Sequence, residues 1–186
     1  LCEERTTAAR RCPRGGRAMD DWTEGEIRAI AVAMIGERYR RYRLPDAAAE
    51  AAMVGSMARY GQIAPLAVCL RQEGPEVLDG FKRLAAAKTL PAVTVLQARL
   101  VVADEPTAKA IILGLNGIGA RMKELEEAWI VHALVREDGL SQHQVAELLG
   151  RHKSWVCRRL ALLERLSEEC ARICGWGCCR RRWPGS

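Results

Sequence analysis

Residues 140–166 read LSQHQVAELLGRHKSWVCRRLALLERL. The run from Gln142 to Leu149 carries Val145, Leu148 and Leu149 at helical spacing, so those side chains are expected to point inward. Ala146 is small and lets a second helix approach. Gly150 supplies the positive φ of a sharp turn. The second run offers Val156 and Leu160 as anchors on the first helix. Arg151, His152, Lys153, Ser154, Trp155, Arg158 and Arg159 are left for the outer face. Arg and Lys there can reach phosphates or guanine edges. Trp155 can stack or pack, and packing is the expectation. Ser141 and Gln142 open the first helix, whose free N–H groups suit a phosphate. Two helices, a three-residue turn and cations confined to the second helix predict a helix-turn-helix on double-stranded DNA. A plain helical hairpin with a solvated basic face is the bland alternative. The small residue, the glycine and the anchors fall at the right offsets together, which favours DNA.

Bulk charge is a weaker guide than this local cluster. The net charge is +6, but residues 1–19 hold five Arg and two Glu, and residues 167–186 hold four Arg and two Glu. Both tails are therefore basic and only +1 remains between them. Against that background Arg151, Lys153, Arg158, Arg159 and Arg165 face Glu164 alone. The chain is 49% hydrophobic but only 5% aromatic, so Ala, Val and Leu must fill the core. No apolar run is long enough to cross a bilayer, and the start has no apolar stretch behind its cations. A cytoplasmic, nucleoid-associated protein that does not engage membrane is expected.

Of eight cysteines, Cys170, Cys174, Cys178 and Cys179 crowd the end. Their spacing departs from paired Cys-x-x-Cys knuckles and no His follows, so no metal site is expected. A one-base change of frame turns the Cys and Trp codons of 170–186 into codons for Leu, Val or Met. The resulting peptide is an ordinary amphipathic segment. The expectation is a frame-shifted end and a truncated longer protein. Residues 1–18, ahead of Met19, are expected to be translated upstream DNA or a loose arm.

Between the tails, EIRAIAV (26–32) alternates as a short strand. Asp46 is expected to cap a helix over AAAEAAMVGSMARY, with Gly61 as its left-handed C-terminal cap. IAPLAVCL (63–70) is a strand, Glu73-Gly74-Pro75 a turn, and EVLD the returning strand. Gly80 breaks it and FKRLAAAKTL is a helix. Residues 93–102 form another strand, and a helix opens at Glu105 or Pro106 and fades at Asn116-Gly117. Lys123 to Glu137 is helical, with Leu125, Ala128, Trp129, His132 and Leu134 as its apolar side. The expected organisation is a disordered tail (1–25), a mixed α/β domain (26–117), an all-helical domain (118–166) and the Cys/Arg/Trp-rich tail (167–186).

GQIAPLAV, LDGFKRLAAAK, LNGIGARMKELEEA and the final helix pair follow one another in an order that resembles the ParB/RepB-like partition proteins. The resemblance spans residues 26–166. It implies an α+β fold: a ParB/sulfiredoxin-like mixed α/β domain followed by an all-α helix-turn-helix domain. It also implies a homodimer, a CTP site with magnesium, a partition ATPase partner and clamp-like action in DNA segregation. It implies, too, that a C-terminal dimerisation domain normally follows, and the chain is expected to be truncated ahead of it. By the resemblance Gln62 borders the nucleotide, Gly80, Lys82 and Arg83 form the phosphate loop, and Asn116 approaches the nucleotide and its metal.

Phe81 replaces the acid of the family's Gly-Glu-Arg-Arg loop. Leu115 stands where the family has Glu, and Gly119 where it has Arg, which argues against hydrolysis. Phe81 also occupies the place of the sulfiredoxins' catalytic Cys, which argues against a redox enzyme. The expected function is a ParB-like DNA-binding protein of plasmid, phage or mobile-element origin, acting in partition or transcriptional regulation. The rivals are a CTP-dependent nucleotide switch and a truncated, non-functional remnant.

Overall fold

A computed structural model describes residues 23–117 and 122–174, with side chains in the last helix as far as Leu166. Residues 1–22, Gly119 and the end from residue 175 lie outside the described residues, and with them the expectations placed there.

The first half is a four-stranded mixed sheet with order β1-β4-β2-β3. Strand β1 (Ile27–Ala31) runs antiparallel to β4 (Val95–Leu100). Strand β2 (Leu66–Arg71) pairs antiparallel with β3 (Gly74–Asp79) and parallel with β4. The alternation in β4 is clean: Leu96, Ala98 and Leu100 are buried while Val95, Gln97 and Arg99 face out, as a one-sided sheet requires. The hairpin turn sits earlier than its sequence suggests. Gln72 and Glu73 make the turn, and Pro75 is already in the ladder opposite Leu70. Proline is tolerated there because β3 is an edge strand.

Helix α1 (Ala47–Tyr60) opens on Asp46, whose carboxylate accepts the Ala49 N–H at 3.1 Å. It closes on Gly61 at φ 69° and ψ −160°. That is a positive φ, as expected, but the backbone is extended rather than left-handed helical. Helix α2 (Phe81–Thr89) follows Gly80, whose φ is 101°. A Cβ on Gly80 would run into the Leu66 side chain, so the glycine answers to packing as well as to φ.

Helices α3 (Glu105–Gly117), α4 (Glu124–Arg136), α5 (Gln142–Leu149) and α6 (Lys153–Cys174) complete the described chain. The buried side of α4 is Ala128, Ile130, Val131, Ala133 and Leu134. His132 is exposed and Leu125 and Trp129 are only half-buried, so the apolar face is wider and turned relative to the expected one. Residues 33–45 carry no readable period. They form two short 3-10 turns, Val32–Met34 and Arg38–Tyr42, that bury Tyr39 and Tyr42.

Those tyrosines sit at the joint between sheet and helices. The Arg41 guanidinium pairs with Glu137 at 2.7 Å, and Tyr42 Oη donates to the same carboxylate at 3.3 Å. Tyr39 Oη donates to Glu105 at 2.9 Å. Lys109, 1% exposed, reaches Asp138 at 2.8 Å and Glu137 at 3.4 Å. Buried charges of this kind persist only when paired.

Candidate nucleic-acid interface

Ser141 caps α5. Its hydroxyl accepts the Gln144 N–H at 3.3 Å, and the Gln144 side chain accepts the Ser141 N–H at 2.9 Å. This reciprocal box is encoded by the Ser-x-x-Gln spacing itself. Gly150 ends the helix at φ 60° and ψ 36°, and the Arg151 N–H closes back on the Ala146 carbonyl at 2.9 Å. Helix α6 then starts, its first turn closed by the Trp155 N–H on the His152 carbonyl at 2.9 Å. Val145, Ala146 and Val156 are buried, and Leu149 and Leu160 pack half-buried on the same core. The inward position expected for Leu148 is corrected: it is 37% exposed, because α5 turns Ala146 rather than Leu148 toward its neighbours.

The packing leaves Arg151, His152, Lys153, Ser154 and Arg158 exposed together with Ser141. Among the described residues no carboxylate forms an ion pair with Arg151, Lys153 or Arg158. Gln142 is half-buried, and its side-chain amide oxygen accepts the Cys157 S–H at 3.2 Å.

Of the residues assigned to the outer face, Arg159 is placed elsewhere, and Trp155 packs as expected. Arg159 is tied to α4: its Nε lies 2.6 Å from Glu127 and its Nη2 3.4 Å from Glu124, with the side chain 14% exposed. A guanidinium spent on two acids of a packed helix is no longer offered to a duplex. Trp155 is half-buried against the core and flanked by the guanidiniums of Arg151 at 5.6 Å and Arg159 at 5.0 Å. Glu124 and Glu127 are the residues that sequence reading missed. Nothing local links them to Arg159, which is 32 positions from Glu127.

The second expected cluster is brought together in part. Arg83 Nη1 donates to the carbonyls of Ala64 and Pro65, each at 2.7 Å, and its Nη2 to Asp79 at 2.9 Å. Gln62 donates to the carbonyls of Ala64 at 3.0 Å and Gln97 at 2.7 Å, and accepts the Gln97 N–H at 2.7 Å. Gln62, Arg83 and Gly80 thus converge on the loop before β2. Lys82 pairs instead with Asp46 at 3.2 Å. The Ala49 N–H, and then Lys82, hold the Asp46 carboxyl below its ordinary range. Asn116 is buried on α3 and donates to its own helix at Ile112, 2.8 Å away.

Gln62 and Arg83, two of the residues expected at a nucleotide, are engaged within the chain itself. The donors of Gln62 and Arg83 are committed to backbone carbonyls, where they clamp a loop. No group of three or more His, Cys, Asp or Glu that could hold an ion occurs among the described residues.

No family model matches the chain, and no curated protein matches it by sequence. In three dimensions the chain is similar to the C-terminally truncated chromosome-partitioning protein ParB from Caulobacter crescentus complexed with CTP-γ-S. There the identity is 17%, with 81% of this chain and 88% of that one covered and a TM-score of 0.47. The same ParB complexed to the centromeric parS site is similar at 16% identity, over 78% of each chain, with a TM-score of 0.48. A Pnob8-like ParB-N domain is similar at 16% identity over 66% of this chain, with a TM-score of 0.49. This chain spans about half of that one (49%).

Proposed function

We propose that the chain is a ParB-like DNA-binding protein, acting in DNA partition or in transcriptional control. Helices α5 and α6 serve as a helix-turn-helix, and the first turns of α6 enter the major groove. One observation carries the reading. Arg151, Lys153 and Arg158 stand exposed and, among the described residues, without an acid partner, while Val145 and Val156 fix their helices from the other side. His152 and Ser154 share that surface, and Ser141 and Gln142 bring the start of α5 to the flanking phosphates.

The α/β half, residues 26–117, is proposed as a separate contact module for a second copy or a partition ATPase. Work on nucleoid or plasmid DNA in the cytoplasm follows from the same reading. No nucleotide step is included, because Arg83 and Gln62 are spent on Ala64, Pro65 and Gln97.

Binding of labelled mixed-sequence duplex tests the proposal through its salt dependence. Each lost phosphate contact lowers the slope of log affinity against log salt by about 0.9. Replacing Arg151, Lys153 and Arg158 together by Ala is expected to flatten the slope by about 2 to 3. An unchanged slope overturns the docking.

A further inference from the structure

We infer that Trp155, Arg159 and Glu127 form a positioning chain that presets Arg151 for DNA, an inference that rests on the DNA-binding reading above. Arg151, Trp155 and Arg159 are four residues apart. Such residues lie one above the next on a helical face. Arg151 lies just ahead of α6, but its guanidinium still reaches the Trp155 ring, 5.6 Å from the centroid. On the other side Arg159 approaches the same ring at 5.0 Å. The indole is therefore flanked by two cations along the helix.

The two cations have different fates. Arg159 is fixed from outside the helix pair: Glu127 on α4 holds its Nε at 2.6 Å, and Glu124 lies 3.4 Å from its Nη2. Arg151 is exposed and forms no ion pair among the described residues. An exposed arginine normally samples many rotamers and loses that freedom when it meets a phosphate. An aromatic face that already holds the guanidinium removes part of that cost. The ring keeps its own orientation because Arg159 covers it and α4 holds Arg159. Glu127 thus acts on DNA affinity through two intermediaries and touches no DNA itself.

The arrangement also explains an otherwise unfavourable density of charge. Arg151, Lys153, Arg158 and Arg159 fall within nine residues of sequence. Neutralising one of them on α4 lowers their mutual repulsion and leaves the remaining three for the duplex.

A double-mutant cycle with labelled mixed-sequence duplex tests the chain. In the wild-type background Trp155→Leu is expected to weaken binding about two- to fivefold, the size of an exposed cation–π contact. In the Arg151→Ala background the same change is expected to have no further effect, since the residue it acts through is gone. The salt slope separates the roles. Arg151→Ala lowers it by about 0.9, whereas Trp155→Leu and Glu127→Gln leave it unchanged. Should Trp155→Leu fail to fold, Glu127→Gln carries the same cycle. Additive losses in the cycle, or a reduced salt slope for Glu127→Gln, overturn the inference. A wild-type protein with no salt-dependent duplex affinity overturns the DNA reading itself, and this inference with it.

Discussion

At the residue scale, burial decides which chemically similar side chains can act. Cys69 lies on β2 opposite Glu76 and is buried, while Cys157 is exposed on α6. Desolvation, ahead of every other influence, pushes the Cys69 thiol from 9.0 up to about 11. Burial likewise pushes the phenols of Tyr39 and Tyr42 up. All three groups are neutral when protonated, and folding raises their pKa. The stability they contribute is complete below the unfolded values and is lost as pH climbs through the folded ones. The melting temperature is therefore expected to fall as pH rises from 9.0 toward 11. Cys69→Val is expected to flatten the first part of that decline. Alkylation at neutral pH followed by peptide mass spectrometry should label Cys157 and spare Cys69; equal labelling contradicts the burial argument. Much at this scale was legible in the sequence. Gly150, Val145 and Val156 follow from local periodicity and turn chemistry. Arg159 did not, because the acids that claim it lie on another helix.

At the element scale, one carboxylate serves the start of α4 in three ways. Glu126 accepts the Lys123 N–H at 2.7 Å, as a helix N-terminus needs. It also accepts the Leu44 N–H at 2.7 Å and faces Arg43 at 3.5 Å, with its side chain 4% exposed. Glu126→Ala should cost about 2–4 kcal/mol, since it strands two backbone donors and removes a buried carboxylate from beside Arg43. Urea denaturation reads that loss, and a cost under about 0.5 kcal/mol places Glu126 with ordinary surface acids. The elements themselves were largely readable. Asp46 and Gly61 bracket α1, Gly80 opens α2, and the strand expected over 93–102 contains β4. The 3-10 turns of 32–42 were not readable, because so short a turn has no period to detect. The face of α4 was misjudged for a related reason. A helix packed by several neighbours has no single apolar stripe.

At the scale of the whole molecule, ion pairs join α3 and the second 3-10 turn to the end of α4. Lys109 on α3 is 1% exposed and meets Asp138, itself 9% exposed, just past α4. Arg41 and Tyr42 bring the 3-10 turn to the same place through Glu137. Removing one partner of such a pair leaves the other charged and desolvated. Lys109→Ala is expected to cost about 3–5 kcal/mol in urea denaturation. Asp138→Asn added to that variant should recover part of the loss, because the stranded group is then uncharged. A Lys109→Ala protein as stable as the wild type would falsify the pairing. The joint also predicts one cooperative unfolding transition rather than two, with far-ultraviolet circular dichroism and tyrosine absorbance changing together.

The sequence by itself determined the mixed sheet's main strands, the order of the helices and the tight hairpin of α5 and α6. Each depends on contacts within one or two turns of chain. Only the tertiary structure decided which cations remain free. Arg83, Lys109 and Arg159 are claimed by carbonyls and carboxylates distant in sequence, while no acid among the described residues claims Arg151, Lys153 or Arg158. Charge is written residue by residue, but its availability depends on what the fold brings within about 3–4 Å.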